Sequence, residues 1–336
     1  MVFKLYIPSL LHLLVDFFSI YLLYSFKVDE SLALVLIVLY DSLAFMSQPL
    51  IGAIIEKKKN LNKLITISLL VIIVSLFIPF FYISIPLCAL GNALFHVSAG
   101  KLVLDKNQKS APLGVFISFG ALGVGFANLY GTKELFVLLF SISLVLLLVN
   151  SVMNYEDIKN KFKKENDNQK TYIFPIILIT LGVMLRGFFG FYTDKSSITN
   201  LNNEAIVLIF VVFFAKFIGG FLVDRIKMIP VIILSMILSL FGTIYAYNCF
   251  LYFLGVFGIN LLMALTLELI RRFLPNNHGF GFGLLASGLA FGSLCGVFLI
   301  SNTNYYNYIN ITLIVLNTLT LLISLIYYKK KRGILL

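Results

Sequence analysis

The chain has 336 residues, 60% of them hydrophobic and 12% charged, with a mean hydropathy of +0.99. A soluble domain is about 45–50% apolar, so the composition excludes a soluble globular protein and specifies an integral membrane protein in a lipid bilayer. The net charge of +11 is held in short clusters between apolar runs; these are topology signals and not the basic stripe of a nucleic-acid binder.

A spanning helix needs about 20 mainly apolar residues. Twelve are expected, at about 6–26, 32–55, 64–83, 86–104, 112–131, 134–153, 172–193, 205–223, 229–247, 250–270, 279–300 and 308–328. The first follows Met-Val-Phe-Lys, lacks a small-x-small cleavage site and carries His12 and Asp16, so it is expected to be retained as a span. Cys88, Cys249 and Cys295 are scattered through apolar segments and form neither a disulfide framework nor a zinc pattern. The polar stretch Asn154–Lys170 falls mid-chain. It divides the chain into a six-helix bundle over 1–153, a central cytoplasmic linker over 154–171 and a second six-helix bundle over 172–336.

Loop charge orients the chain. With the N-terminus inside, 21 of the 26 Lys and Arg residues fall on the inner side, from Lys4 through Lys57, Lys101, Arg225 and Arg271 to Arg332. Lys27, Lys133 and Lys195 fall outside, while Arg186 and Lys216 lie within spans. Twelve spans with both termini cytoplasmic follow from this asymmetry.

The chain is written twice. Phe214–Met228 reads FAKFIGGFLVDRIKM, and Ser47–Asn60 reads SQPLIGAIIEKKKN. Gly52 aligns with Gly220 (220 − 52 = 168), Glu56 with Asp224 and Lys57 with Arg225. Gly114, Ser118, Ala121 and Gly123 match Gly283, Ser287, Ala290 and Gly292 at an offset of 169, and Asn92 matches Asn260 (260 − 92 = 168). Six spans per half is an even number, so the halves are parallel repeats about an axis along the membrane normal.

These residues resemble the major facilitator superfamily, whose members have two six-helix halves and a G-x-x-x-D-R-x-G-[RK] motif after span 2, often echoed after span 8. Gly220, Asp224 and Arg225 fit that motif, while the first copy has Glu56 and Lys57, and Lys59 and Lys227 replace the later glycine. Gly120, Leu122, Gly123 and Gly131 are similar to the family's exporter motif in span 5, with Ala127-Asn128 in place of its Gly-Pro pair. The segments HLLVDF (from His12), QPLIG (from Gln48), NALFH (from Asn92) and KFIGGFLVDR (from Lys216) look most like fosmidomycin-resistance-type exporters. The resemblance implies that spans 1, 4, 7 and 10 line a central cavity. It also implies that Gly52, Glu56, Lys57, Gly220, Asp224 and Arg225 form a cytoplasmic gate.

A charge at mid-membrane costs roughly 2.5–3.5 kcal/mol on insertion scales, so each in-span charge requires a partner or a wet cavity. His12, Asp16 and Ser19 share one helix face, as do Asn92 with His96, and Asn260 with Glu268. Asp16 is the expected proton-coupling carboxylate, with His12 as relay; a permanent pair of Asp16 with His12 or Arg186 is the alternative. His96, Asn92, Arg186, Asn260 and Glu268 are expected on the cavity wall, with Arg186 as anion anchor. For Glu268, near Arg271, an interfacial or gate charge is the favoured reading over substrate binding. Asp41 and Lys216, on spans 2 and 8, are expected to pair in the membrane with each other or with backbone, in structural roles. Beyond His12, Asp16 and His96 no further clustered ligands are present, so no metal is expected, and no cofactor.

No G-x-x-x-x-G-K-[ST] pattern is present, so the energy for any uphill transport is expected from an ion gradient. The expectation is a monomeric, proton-coupled secondary transporter of the bacterial inner membrane and not an enzyme. It would move a small organic solute or drug, with an anion favoured and export favoured. The alternatives are an uncoupled facilitator, an uptake symporter, a solute sensor and a polytopic membrane enzyme.

Overall fold

In a computed structural model, residues 2–58, 60–153, 172–193, 202–299 and 306–333 are described, and they form twelve helices and no strand. In chain order these are α1 (Val2–Ser25), α2 (Glu30–Ile55), α3 (Leu61–Leu76), α4 (Phe81–Lys106), α5 (Ala111–Tyr130) and α6 (Lys133–Val152). The second set is α7 (Ile173–Thr193), α8 (Asn202–Ile226), α9 (Met228–Ile244), α10 (Cys249–Phe273), α11 (His278–Leu299) and α12 (Tyr306–Lys331). Among the described residues nine helices are long and apolar enough to cross a membrane, and α3, α7 and α9 contribute shorter apolar segments. The expected linker over 154–171 lies outside the described residues.

Proline chemistry accounts for where the helices depart from the expected runs. The third run, expected over 64–83, stops at Leu76, and α4 begins at Phe81. Pro79 has no N–H to continue the ladder and pushes Ile78 towards extended backbone. Within α2, Pro49 is preceded by a π-helical turn at Ser42–Met46. The extra residue carries the helix past the proline, and the Gln48 side-chain amide donates to the Ala44 carbonyl at 2.9 Å. This turn directly follows Asp41. In α10 the ladder is interrupted at Leu261, where Asn260 Nδ2 donates to the Val256 carbonyl at 2.9 Å.

Burial sorts the helices into core and periphery. In the most apolar stretch of α4 83% of residues are buried, against 11% in α6. The difference lies in side-chain size: α4 carries Gly91, Ala93, Ser98, Ala99 and Gly100, all buried, whereas α6 is a run of Leu and Val facing outward. Helix α1 packs on α5 and α7 on α11, and across the halves α8 packs on α5 and α2 on α11. The repeat is visible in atomic contacts. Gly123 of α5 lies against the Leu13 carbonyl of α1, and Gly292 of α11 against the Met184 carbonyl of α7. At both sites the missing Cβ lets two backbones meet.

Candidate functional site

A cavity of about 540 Å³ lies between the halves. Eight helices line it, namely α1, α2, α4 and α5 from the first half and α7, α8, α10 and α11 from the second. Its wall is mostly apolar, with Ile117, Val124, Leu208, Met263 and Leu289 among its members. Into it come six residues that can carry charge: His12, Asp16, Asp41, His96, Arg186 and Lys216.

Three of the six converge. His12 Nε2 is 2.8 Å from His96 Nε2 and 3.3 Å from Asp16 Oδ2, and His96 Nε2 is 3.5 Å from Asp16 Oδ1. The i, i+4 spacing on α1 stacks His12 over Asp16, and α4 delivers His96 from across the half. The opposite ring nitrogens are tethered. His12 Nδ1 donates to the Phe116 carbonyl at 2.8 Å and His96 Nδ1 to the Asn92 carbonyl at 3.0 Å. Asn92 does not line the cavity. It lies behind the cluster, its amide donating to Ser19 Oγ at 3.1 Å and towards Asp16 Oδ1 at 3.4 Å. The His12 ring stacks on Phe116 at 4.5 Å.

The other three stand apart from one another. Arg186 is 6% exposed, and its Nε and Nη1 have no hydrogen-bond partner among the described residues. Neither Asp41 nor Lys216 makes a hydrogen bond or ion pair among the described residues. The expected Asp41–Lys216 pair is therefore not formed, because α2 and α8 reach the cavity from opposite halves and each side chain faces the open volume. Asp16 pairs with the histidines and not with Arg186.

Below the cavity the ends of the helices that carry most of the basic residues are sealed together. Glu56, at the end of α2, accepts from the backbone N–H groups of Gly279 and Phe280 at 2.9 and 3.3 Å. Asp224, near the end of α8, accepts from those of Ser110 and Ala111 at 2.8 and 2.9 Å. Each carboxylate thus satisfies orphan donors at the start of a helix in the other half, where the helix dipole favours negative charge. Gly52 and Gly220 lie one turn earlier, against Gly279 and Ser110. Lys57 and Arg225, expected in the same gate, are exposed.

Side chains that the sequence had marked only as topology charges complete the seal. Lys101 Nζ bonds Glu56 at 2.7 Å and Asp105 at 2.9 Å, and His278 Nδ1 donates to Asp105 at 2.7 Å. Arg271 donates to the Asn107 and Gln108 carbonyls of the opposite half and pairs with Glu268. Glu268, buried and also bonded by Arg272 at 2.7 Å, therefore belongs to this seal and not to the cavity wall. Asn260 is likewise off the wall, at the break in α10. The repeat carried no signal for Lys101 and Arg271, since at the offset of 168 Lys101 aligns with Leu269 and Arg271 with Val103.

No protein-family model matches the chain, and no curated protein does. Solved structures match throughout its length. The fucose:proton symporter FucP of E. coli superposes with a TM-score of 0.70 at 12% identity, covering 96% of this chain and 98% of that one. The major facilitator superfamily transporter FucP in the outward conformation gives 0.62 at 12% identity over 94% and 98%. A bacterial homologue of the iron transporter ferroportin, outward-facing with soaked iron, gives 0.63 at 15% identity over 96% and 98%. The chain therefore has the major facilitator fold: a polytopic all-α membrane protein of two parallel six-helix repeats.

Proposed function

We propose that this protein is a secondary transporter of the major facilitator superfamily that works by alternating access. The observation that carries this reading is a cavity between two repeats, lined by Arg186, Asp41 and Lys216 with no ion pair among the described residues, and sealed at one end by bonds between the halves. The halves are taken as 1–153 and 172–336, joined by a central linker over 154–171. The sealed end is cytoplasmic on the loop-charge argument, so the described state faces outward. Both termini are then cytoplasmic, in the inner membrane of a bacterium.

The cargo is a small organic anion. Arg186 supplies a planar fork suited to a carboxylate or phosphate, and Lys216 adds a second cation on the same wall. Coupling is to protons through Asp16, with His12 as its relay. A carboxylate that exchanges a proton for a cationic contact during the cycle links the two fluxes. Export is favoured by the resemblance of α5, at Gly120, Leu122, Gly123 and Gly131, to the exporter pattern. The protein acts as a monomer.

The test is reconstitution into proteoliposomes with a pH-sensitive dye in the lumen and a panel of organic anions outside. Coupled transport predicts a substrate-dependent proton signal. In Asp16→Asn that signal is lost while counterflow exchange persists. Exchange and accumulation both unchanged in Asp16→Asn would point to an uncoupled facilitator.

A further inference from the structure

The His12–His96–Asp16 cluster presents a problem of proton arithmetic. A backbone carbonyl only accepts, so the bonds from His12 Nδ1 to Phe116 and from His96 Nδ1 to Asn92 place a proton on each Nδ1. In the neutral rings both Nε2 atoms are then bare lone pairs, yet they face each other at 2.8 Å. The Asp16 carboxylate, a third acceptor, lies 3.3 Å from one and 3.5 Å from the other. Three acceptors pointed at one another repel unless a cation lies between them.

We infer that this cluster is a binding site for a divalent first-row transition-metal ion, entered from the cavity. Four observations agree. The three donor atoms lie within 4.8 Å of one another. Ligands about 2.05 Å from one ion stand about 2.9–3.4 Å apart, from octahedral to tetrahedral geometry; the two Nε2 atoms are 2.8 Å apart, and the Asp16 carboxylate turns Oδ2 to His12 at 3.3 Å and Oδ1 to His96 at 3.5 Å, so shifts of a few tenths of an ångström would seat one ion among them. Each imidazole gives its other N–H to a carbonyl, the outer-shell bond that metal-binding histidines almost always make. Finally, a glycine keeps the space: a methyl group on Gly120 would stand 2.5 Å from His12 Nε2 and 2.6 Å from Asp16 Oδ2.

Two imidazoles with one carboxylate suit Mn, Fe, Co, Ni or Zn and disfavour Ca and Mg, which take oxygen donors. All three residues are buried but line the cavity, so the remaining coordination positions are reached from it. A proton shared between the two Nε2 atoms is the competing occupant, and the test separates the two. The inference concerns binding alone. Loss of metal binding with intact proton-coupled flux would overturn it and leave the transporter reading standing; metal binding without flux would do the reverse.

The experiment is titration of the purified full-length protein in detergent with Co²⁺. The expected result is ligand-field absorption that saturates at one equivalent and is displaced by Zn²⁺. X-ray absorption of the bound Zn²⁺ should count two imidazoles, a readout needing no variant. His96→Gln, checked as monodisperse by gel filtration, should weaken binding by at least the roughly 10–100-fold that loss of an outer-shell partner costs. Cys249→Ser, removing an exposed thiol, should leave binding unchanged. Absence of saturable absorption, a bound ion without imidazole neighbours, or full affinity in His96→Gln would each overturn the assignment.

Discussion

Glu56 and Asp224 stand 168 residues apart (224 − 56 = 168), and each takes two backbone N–H groups from the start of a helix in the opposite half. They differ in what else they hold. Glu56 is also bonded to the buried Lys101, whereas Asp224 has backbone donors only among the described residues. Asp224→Ala is therefore expected to cost about 1 kcal/mol, the range of a lost helix cap. Glu56→Ala strands part of a buried ion pair and is expected to cost about 3 kcal/mol. Thermal melts of the two variants in detergent should rank in that order; equal shifts would show that Lys101 adds nothing to the first-half latch.

Arg271 bridges the halves by donating from one guanidinium to two successive carbonyls, those of Asn107 and Gln108. A lysine cannot make that forked contact. Arg271→Lys should raise labelling of a Thr266→Cys reporter on the cavity wall from the basic end by about 10-fold, as expected for about 1.4 kcal/mol of lost closure. Unchanged labelling would mean that the seal rests on the other contacts.

The two unbonded nitrogens of Arg186 have a stability consequence. A charge at mid-membrane costs roughly 2.5–3.5 kcal/mol on insertion scales, and Nε and Nη1 make no bond among the described residues. Arg186→Met is expected to raise the melting temperature of the ligand-free protein while abolishing thermal stabilisation by added organic anions. A lower melting temperature would instead mark Arg186 as structural.

Glycines separate into those that hold helices together and those that do not. Gly292 meets the Met184 backbone with no space for a methyl group, while a Cβ on Gly288 would lie 3.2 Å from a Thr180 methyl group and 3.4 Å or more from its other neighbours. Gly292→Ala, and its repeat mate Gly123→Ala, should each destabilise by about 1–3 kcal/mol through forced backbone movement. Gly288→Ala should be nearly neutral. The comparison by thermal melt in one detergent checks both.

The sequence alone determined the twelve apolar runs and the duplication at 168–169 residues, because each depends on local composition or on register. It also marked His12, Asp16, His96 and Arg186, since an ionisable residue in an apolar run is conspicuous without any coordinates. Helix ends near Pro79 and the π turn before Pro49 were blurred, because a proline's effect depends on which carbonyl it displaces. Only the tertiary structure decided which charges meet. It left Asp41 and Lys216 unpaired among the described residues, drew Glu268 into the seal with Arg271, and brought His96 of α4 onto His12 of α1 across 84 residues of chain. Those distances follow from how small residues let α1, α4 and α5 approach, and periodicity along one helix carries no information about the rotation of its neighbours.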